Sequence, residues 1–439
     1  MLKAQARELK VTADKPVVEP DSIAALTNND QIKGKTIALH CHPANIVKAV
    51  VALDGVASAV LLVPYDACEA FSRRAEEKIS IDLVITDGVP ETKYWRSSLY
   101  SLSSVLNTLI NFDDPNTIVT RWLLATSGTT GTPKIVAHTA ESLTRTVSSK
   151  DTGEKLSWGL IYDPARFAGF QVILQALKSG STLVIPSPEL DISRKIDFLA
   201  ANSCSALSAT PSLWRKVLMS KSVQRLELKQ VTLGGEIADQ RVLNSLSNQF
   251  PHASISHIFA STEAGVGFSV KDKKAGFPSS WLEHGVRDVE MRISEQGTLM
   301  LKNTCLNQDY LGEAEGVADN EGWIDTGDLV EVVEERVLFK GRLNGAINVG
   351  GNKVIPEEVE EEILKVPGVF QVAVRAKPSS IAGSLVEAYV VPESDVENSR
   401  ELAKKIKQHC KQVLPSFKVP AFVRLLEELP IGSSGKVKR

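Results

Sequence analysis

Between Thr126 and Lys134 the chain reads Thr-Ser-Gly-Thr-Thr-Gly-Thr-Pro-Lys, a run of small hydroxylated residues and glycines closed by a cation. Glycines let backbone N–H groups approach an anion closely, hydroxyls add donors, and Lys134 adds positive charge. That is the chemistry of a phosphate cradle. It is not a Walker A loop, which needs Gly directly before Lys and Ser or Thr directly after, whereas Pro133 precedes Lys134 and Ile135 follows it. By composition alone the stretch also suits an ordinary flexible connector.

The neighbouring text supplies the elements that must hold such a cradle. Ile118–Ala125 is a short apolar, β-prone run that reads as a strand, and Thr139 is placed to cap a helix through Ser142 and Leu143. Upstream, strand signals at Thr36–His40, Ala59–Pro64 and Leu83–Asp87 alternate with helical patterns at Asn45–Ala52 and Phe71–Ile79, the rhythm of a helix-covered parallel sheet. Residues 1–34 read only as an arm or strand. Downstream, a strand from Trp158, an apolar helix at 167–177, a strand at 182–185 and a βα pair at 193–220 continue the pattern. Two later strands run into loops, Val231–Glu236 and Ile255–Gly265, and open parallel sheets bind ligands at that carboxyl edge. From about Val286 the pattern turns to β alternation, and from Gly341 to a small α+β domain with helices at 356–365 and 396–413.

Composition narrows the class. With 439 residues, 43% of them hydrophobic and 23% charged, the chain fits a globular protein of two or three domains. A net charge of -3 argues against nucleic acid as partner. No run approaches the ~20 apolar residues of a membrane helix. The start lacks the apolar core of a signal peptide, and a cytoplasmic location is expected. Cys41, Cys68, Cys204, Cys305 and Cys410 lack C-x-x-C spacing, which predicts reduced, buried thiols. His40-Cys41-His42 looks metal-like, but neighbours on a strand face opposite ways.

Four further stretches carry chemical residue types: Phe259-Ala260-Ser261-Thr262-Glu263; Trp323-Ile324-Asp325-Thr326-Gly327-Asp328; Gly341-Arg342 followed by Asn348–Glu360; and Leu429-Pro430 followed by Gly435-Lys436 and Arg439. Singly, a Thr-Gly-Asp triplet reads as a turn and a basic end as a solvated tail. With the glycine loop, in this order, they resemble the signatures of the adenylate-forming enzymes: acyl-CoA synthetases, aryl-acid ligases, luciferases and peptide-synthetase adenylation domains. The likeness spans most of the chain from residue 126 onward.

That resemblance implies roles. Thr126, Ser127, Gly128, Thr129, Thr130, Gly131 and Lys134 are expected to hold the β/γ phosphates of ATP. Thr262 is expected at the α-phosphate and Glu263 at Mg²⁺, a hard cation that prefers carboxylate oxygen. Phe259 and Ala260 are expected against adenine, with Gly235 and Glu236 along its edge. Asp328, helped by Arg342, is expected at the ribose. Lys436 is expected to bridge the substrate carboxylate and the α-phosphate, so Lys436, Thr262 and Glu263 form the implied catalytic set. The glycines of Asn348-Val349-Gly350-Gly351 resemble those lining a thiol tunnel, and Arg166 and Gly169 are expected along the same substrate and thiol path. Asn344 stands at the hinge, where the family often has Asp or Lys. Arg166, within Asp163–Gly169, aligns with a family His; it is placed to bind a second anionic group on the acid, or to salt-bridge at the helix start. The text around Asp163 fits poorly the amino-group site of peptide synthetases.

The expected fold is α/β. A large N-terminal domain, 1–341, has parallel sheets covered by helices plus a β-rich subdomain, with its first part shortened. A small mobile α+β domain, 342–439, carries the hinge and the lysine. The expected activity is an ATP-dependent ligase that converts a small carboxylic acid into an acyl-adenylate, releases pyrophosphate, and passes the acyl group to the thiol of CoA or of carrier-protein phosphopantetheine. An amine or hydroxyl acceptor, or a nucleotide-binding scaffold without catalysis, are the alternatives.

Overall fold

The computed structural model of the chain describes residues 2, 9–13, 29–88, 94–109, 118–126, 134–147, 155–303, 318–379, 383–393, 399–432 and 435–437. They form two compact units, Met1–Lys274 with Asn303–Gly322, and Ala275–Lys302 with Trp323–Arg439.

The first unit holds two sheets. One runs Ser98–Ser101, Leu83–Thr86, Thr36–His40, Ala59–Leu62, Arg121–Ala125, Ile135–Thr139, parallel except for its last pair. The other runs Lys10–Ala13, Thr182–Ile185, Ser157–Gly159, Ala206–Ala209, Gln230–Gly234, Ser254–Ser261, Gly265–Val270, again antiparallel only at the end. Strands such as Ala59–Leu62 and Leu83–Thr86 are buried at every residue, as parallel strands covered on both faces must be. The helix Phe167–Lys178 joins the two sheets. Its Phe170 ring lies 5.4 Å from that of Trp122 on the first sheet, within one continuous core.

Two local expectations change and a third is narrowed. Thr139 does cap a helix, Ala140–Thr144, through a reciprocal bond with Ser142, but Ile135–Thr139 is first a strand paired antiparallel with Arg121–Ala125. The stretch 126–134 therefore links two antiparallel neighbours. Residues 259–261 are likewise strand rather than loop, and only 262–264 turn. Within residues 1–34, read as an arm or strand, Lys10–Ala13 is the strand, paired in parallel with the edge that Thr182–Ile185 offers.

The second unit also has two sheets. One orders Phe277–Pro278, Arg336–Arg342, Trp323–Val333, Thr298–Asn303 and Val289–Ile293. The other orders Asn352–Val354, Ile347–Val349, Gly383–Pro392 and Val369–Ser379, with Phe422–Leu425 parallel to Gly383–Pro392. The helices Pro356–Leu364 and Ser399–Val413 place Val359, Ile363, Ile406 and Cys410 in one core with Val374, Val386, Ala388 and Val390 of that sheet.

Cys41, Cys204 and Cys410 are free and buried, whereas Cys68 is exposed, against expectation; Cys305 lies outside the described residues. The three side chains of 40–42 have separate partners. The Trp95 indole N–H donates to His40 Nδ1, Cys41 Sγ meets the Ile85 carbonyl, and His42 Nδ1 accepts from Ala44 N at a helix start. Among the described residues no helix is long and apolar enough to cross a membrane.

Candidate active site

Ser127, Gly128, Thr129, Thr130 and Gly131 lie outside the described residues, but both ends of their loop are fixed. Thr126 N donates to the Lys134 carbonyl at 2.8 Å, and Lys134 N donates to Thr126 Oγ1 at 3.2 Å. Thr126 is buried and Lys134 exposed.

In the same unit the strand Ser254–Ser261 carries Phe259 and Ala260 to its carboxyl end, with a bulge between them, and Thr262, Glu263 and Ala264 form the turn beyond. Ala264 N donates to Ser261 Oγ at 2.9 Å, and Gly265 takes φ +64°, so the turn is tightly specified. Phe259 stacks on Phe268 at 5.3 Å. Gly235 has φ +81°, conformational freedom that glycine alone has cheaply. Glu236 accepts from Ser212 N at the first turn of the helix Pro211–Met219, a carboxylate at a helix N-terminus.

Arg166 does not stand free to meet an anion. Its guanidinium is 3.3 Å from Asp66 and 3.9 Å from Asp163. Asp163 also accepts from Tyr65 N at 3.1 Å and Ala165 N at 2.9 Å, while burial pushes its carboxyl up to about 6. Of the two readings of Arg166, the salt bridge at the helix start is the one present. Gly169 leaves no space for a tunnel on its own side; a Cβ there would overlap the Asp163 carbonyl and Pro164 Cα, so its smallness seats the helix.

In the second unit Asp328, Arg342 and Lys436 converge. Asp328 and Arg342 are directly paired across adjacent strands, and the Arg342 Nε donates to Asp328 Oδ1 at 2.9 Å. Burial raises the affinity of Asp328 for a proton, and the positive charges of Arg342 and Lys436 oppose that rise. Lys436 is half-buried in a small hairpin: Gly432 N donates to its carbonyl at 2.8 Å, Ile431 bridges Val437, and Gly435 has φ +75°. Asn344 is exposed in the short 3₁₀ turn Leu343–Gly345, and its backbone is not left-handed. Gly350 and Gly351 form the turn between Ile347–Val349 and Asn352–Val354 rather than a stretch of strand. Both have positive φ, +56° and +88°, and within this unit a Cβ on either would meet nothing within 4 Å.

The model of the AMP-binding enzymes matches residues 48–311, and that of their C-terminal domain matches residues 358–436. The chain belongs to the AMP-binding enzyme family. Asp328, Arg342 and Asn344 fall between the two matched stretches, while Lys436 is the last residue of the second. Among curated relatives, the 2-succinylbenzoate–CoA ligase of Listeria monocytogenes is 27% identical over 72% of this chain and 68% of its own length. The 4-hydroxybutyrate–CoA ligase 1 of Metallosphaera sedula is 31% identical over 72% of this chain and 60% of its own. A solved o-succinylbenzoate CoA synthetase from Bacillus subtilis, in complex with its acyl-adenylate intermediate, shares the fold at TM-score 0.71, covering 99% of this chain and 96% of that one at 19% identity. The same enzyme has been solved with ATP and magnesium ion. The expected ATP-dependent acid–thiol ligase and its α/β fold agree with this family and these relatives.

One polar residue of this AMP-binding enzyme escaped the sequence reading. His138 is buried beside the Thr262–Glu263 turn, with Nε2 2.8 Å from the Thr262 carbonyl, and burial pushes its imidazole down to about 4. The available signal was period-two alternation: Val136 and His138 share the face on which an apolar residue is expected.

Proposed function

We propose that the chain is an acid–CoA ligase acting in two half-reactions on a small carboxylic acid with no second anionic group. In the first, the acid's carboxylate attacks the α-phosphorus of ATP and pyrophosphate leaves; in the second, the thiol of CoA displaces AMP. The observation that carries this reading is Asp328, a half-buried carboxylate hydrogen-bonded to Arg342 and within the electrostatic reach of Lys436. Asp328 takes the ribose hydroxyls, Arg342 holds Asp328, and Lys436 offsets charge that develops on the reacting oxygens. The pinned loop 126–134 receives the β/γ phosphates, and Thr262 the α-phosphate. Phe259 and Ala260, with Gly235 and Glu236, border the adenine.

Glu263 fits magnesium. It is a half-buried carboxylate in a turn, and Mg²⁺ is ordinarily held by one or two carboxylates together with substrate phosphates. When bound, the ion supplies neutralisation of phosphate charge. The Asp66–Arg166–Asp163 group supports an acid lacking a second charge, because the guanidinium already serves two carboxylates.

The functional boundary in this reading lies at 341/342. Asn344 acts as the hinge about which 342–439 turns between half-reactions, bringing the Gly350-Gly351 turn to the thiol. The enzyme works in the cytoplasm, without a nucleic-acid partner, as its charge of -3 suits. The test is to supply ATP, a panel of acids, and in separate reactions CoA, a phosphopantetheinylated carrier protein, or hydroxylamine. An acyl-CoA product by mass spectrometry is expected. Transfer to carrier alone, or to the amine alone, overturns the choice of acceptor.

A further inference from the structure

We propose that His138 is a positioning residue that fixes the Thr262–Glu263 turn in register with the strand leaving the phosphate loop. The inference rests on the reading of that turn as the α-phosphate and magnesium site. His138 is the fourth residue after Lys134 in an extended strand, so a rigid span of roughly 13 Å separates the loop's end from its imidazole. The Nε2–H donates to the Thr262 carbonyl at 2.8 Å. The Phe167 ring, 5.8 Å away at the start of the Phe167–Lys178 helix, packs against the imidazole and limits its rotation.

A second bond grips the other side of the same turn. Arg145 Nη2 donates to the Val266 carbonyl at 2.6 Å. The segment 135–145 therefore holds the chain both before and after Glu263, from two different residues. The fold needs the bulk of a side chain at 138, since that face lies toward Trp122 and Phe167 in the core. A leucine would fill such a site without a buried nitrogen to satisfy, and the nitrogen that is present meets the turn at the Thr262 carbonyl. A tripolyphosphate held at one end by the loop and at the other by Thr262 reacts in line only if that spacing is kept, and small misplacements at a reacting centre cost about a hundredfold in rate.

The test uses the full-length protein with His138→Leu, His138→Gln and His138→Asn. AMP binding without magnesium is measured by calorimetry, acid-dependent ATP–pyrophosphate exchange by isotope, and melting temperature alongside. His138→Leu is expected to melt within a few degrees of wild type, to bind AMP about tenfold more weakly, and to exchange about a hundredfold more slowly. Gln, whose amide nitrogen reaches the Nε2 position, restores both to within about threefold, and the shorter Asn does not. If Leu fails to fold, the Gln–Asn contrast decides. Unchanged AMP binding and exchange in Leu, or Gln and Asn failing alike, overturns the role of His138. A wild-type protein that binds no AMP overturns the reading of the turn itself, a distinguishable result.

Discussion

The two units differ in how they hold the residues proposed to meet phosphate and ribose. In the first, placement comes from backbone hydrogen bonds and burial: Thr126 with Lys134, Ala264 on Ser261, and the Thr262 carbonyl on His138. In the second it comes from charge, with Asp328 between Arg342 and Lys436 and with the Arg342 side chain exposed. A group held by backbone geometry keeps its position whatever the solvent ions. A group held by partly exposed charges yields to salt, and can be released and reformed when a segment moves. On the proposed reading, the first unit keeps its nucleotide residues as a fixed jig, and the second keeps Asp328 in a grip that charge alone can loosen.

The sharpest way to break this contrast is Lys436→Ala. Acid-dependent pyrophosphate exchange should fall about 10²–10³-fold, the scale for losing one charge-stabilising donor. Thioester formation from supplied acyl-AMP should change little. Equal loss in both half-reactions would show Lys436 to be structural. Next in size is Asp328→Asn, expected to raise the KM for ATP about tenfold and to remove most of its dependence on salt between 0.05 and 0.5 M, on the order of the screening of a half-exposed pair. A salt dependence equal to wild type contradicts the charge-held site.

Acid should separate the units too. Burial lowers His40 and His138, both in the first unit, from 6.5 to about 4. For such groups the folded state favours the neutral ring, so their stabilising effect is full above pH 6.5 and is lost as pH falls toward 4. The first unit should lose on the order of a few kcal/mol over that window. Hydrogen exchange at pH 7.5 and 5 should show its core amides opening first, and simultaneous opening of both units would count against the assignment. The smallest effect is expected from Arg166→Met: a loss of about 1–2 kcal/mol in denaturant melts, with the ranking of acids unchanged. A selective loss of dicarboxylate substrates would return Arg166 to the acid pocket.

Much of this was legible because the residues speak locally. Strands such as Thr36–His40 and Thr182–Ile185 are short apolar runs between helical patterns, and Thr139 carries its own capping partner. What stayed hidden depends on distant chain. Lys10–Ala13 is a strand only because another strand's edge is there to receive it. Asp66, which neutralises Arg166, lies 100 residues away. His138 shows nothing in its own neighbourhood; its meaning comes from a carbonyl 124 residues on. Gly169 and Gly350 looked alike in the sequence, yet one permits a close helix contact and the other a left-handed turn. Residue type suggested the chemistry, and only packing distinguished a glycine that fits from one that bends.

The reaction proposed for this chain is the activation of a carboxylic acid by adenylation. Acid-dependent exchange of labelled pyrophosphate into ATP, run with magnesium across a broad acid panel, tests it most directly. Exchange is expected with at least one small acid bearing no second anionic group, and it should fall about 10²–10³-fold in Lys436→Ala. Binding of ATP with no exchange for any acid would contradict it and leave a nucleotide-binding scaffold in its place.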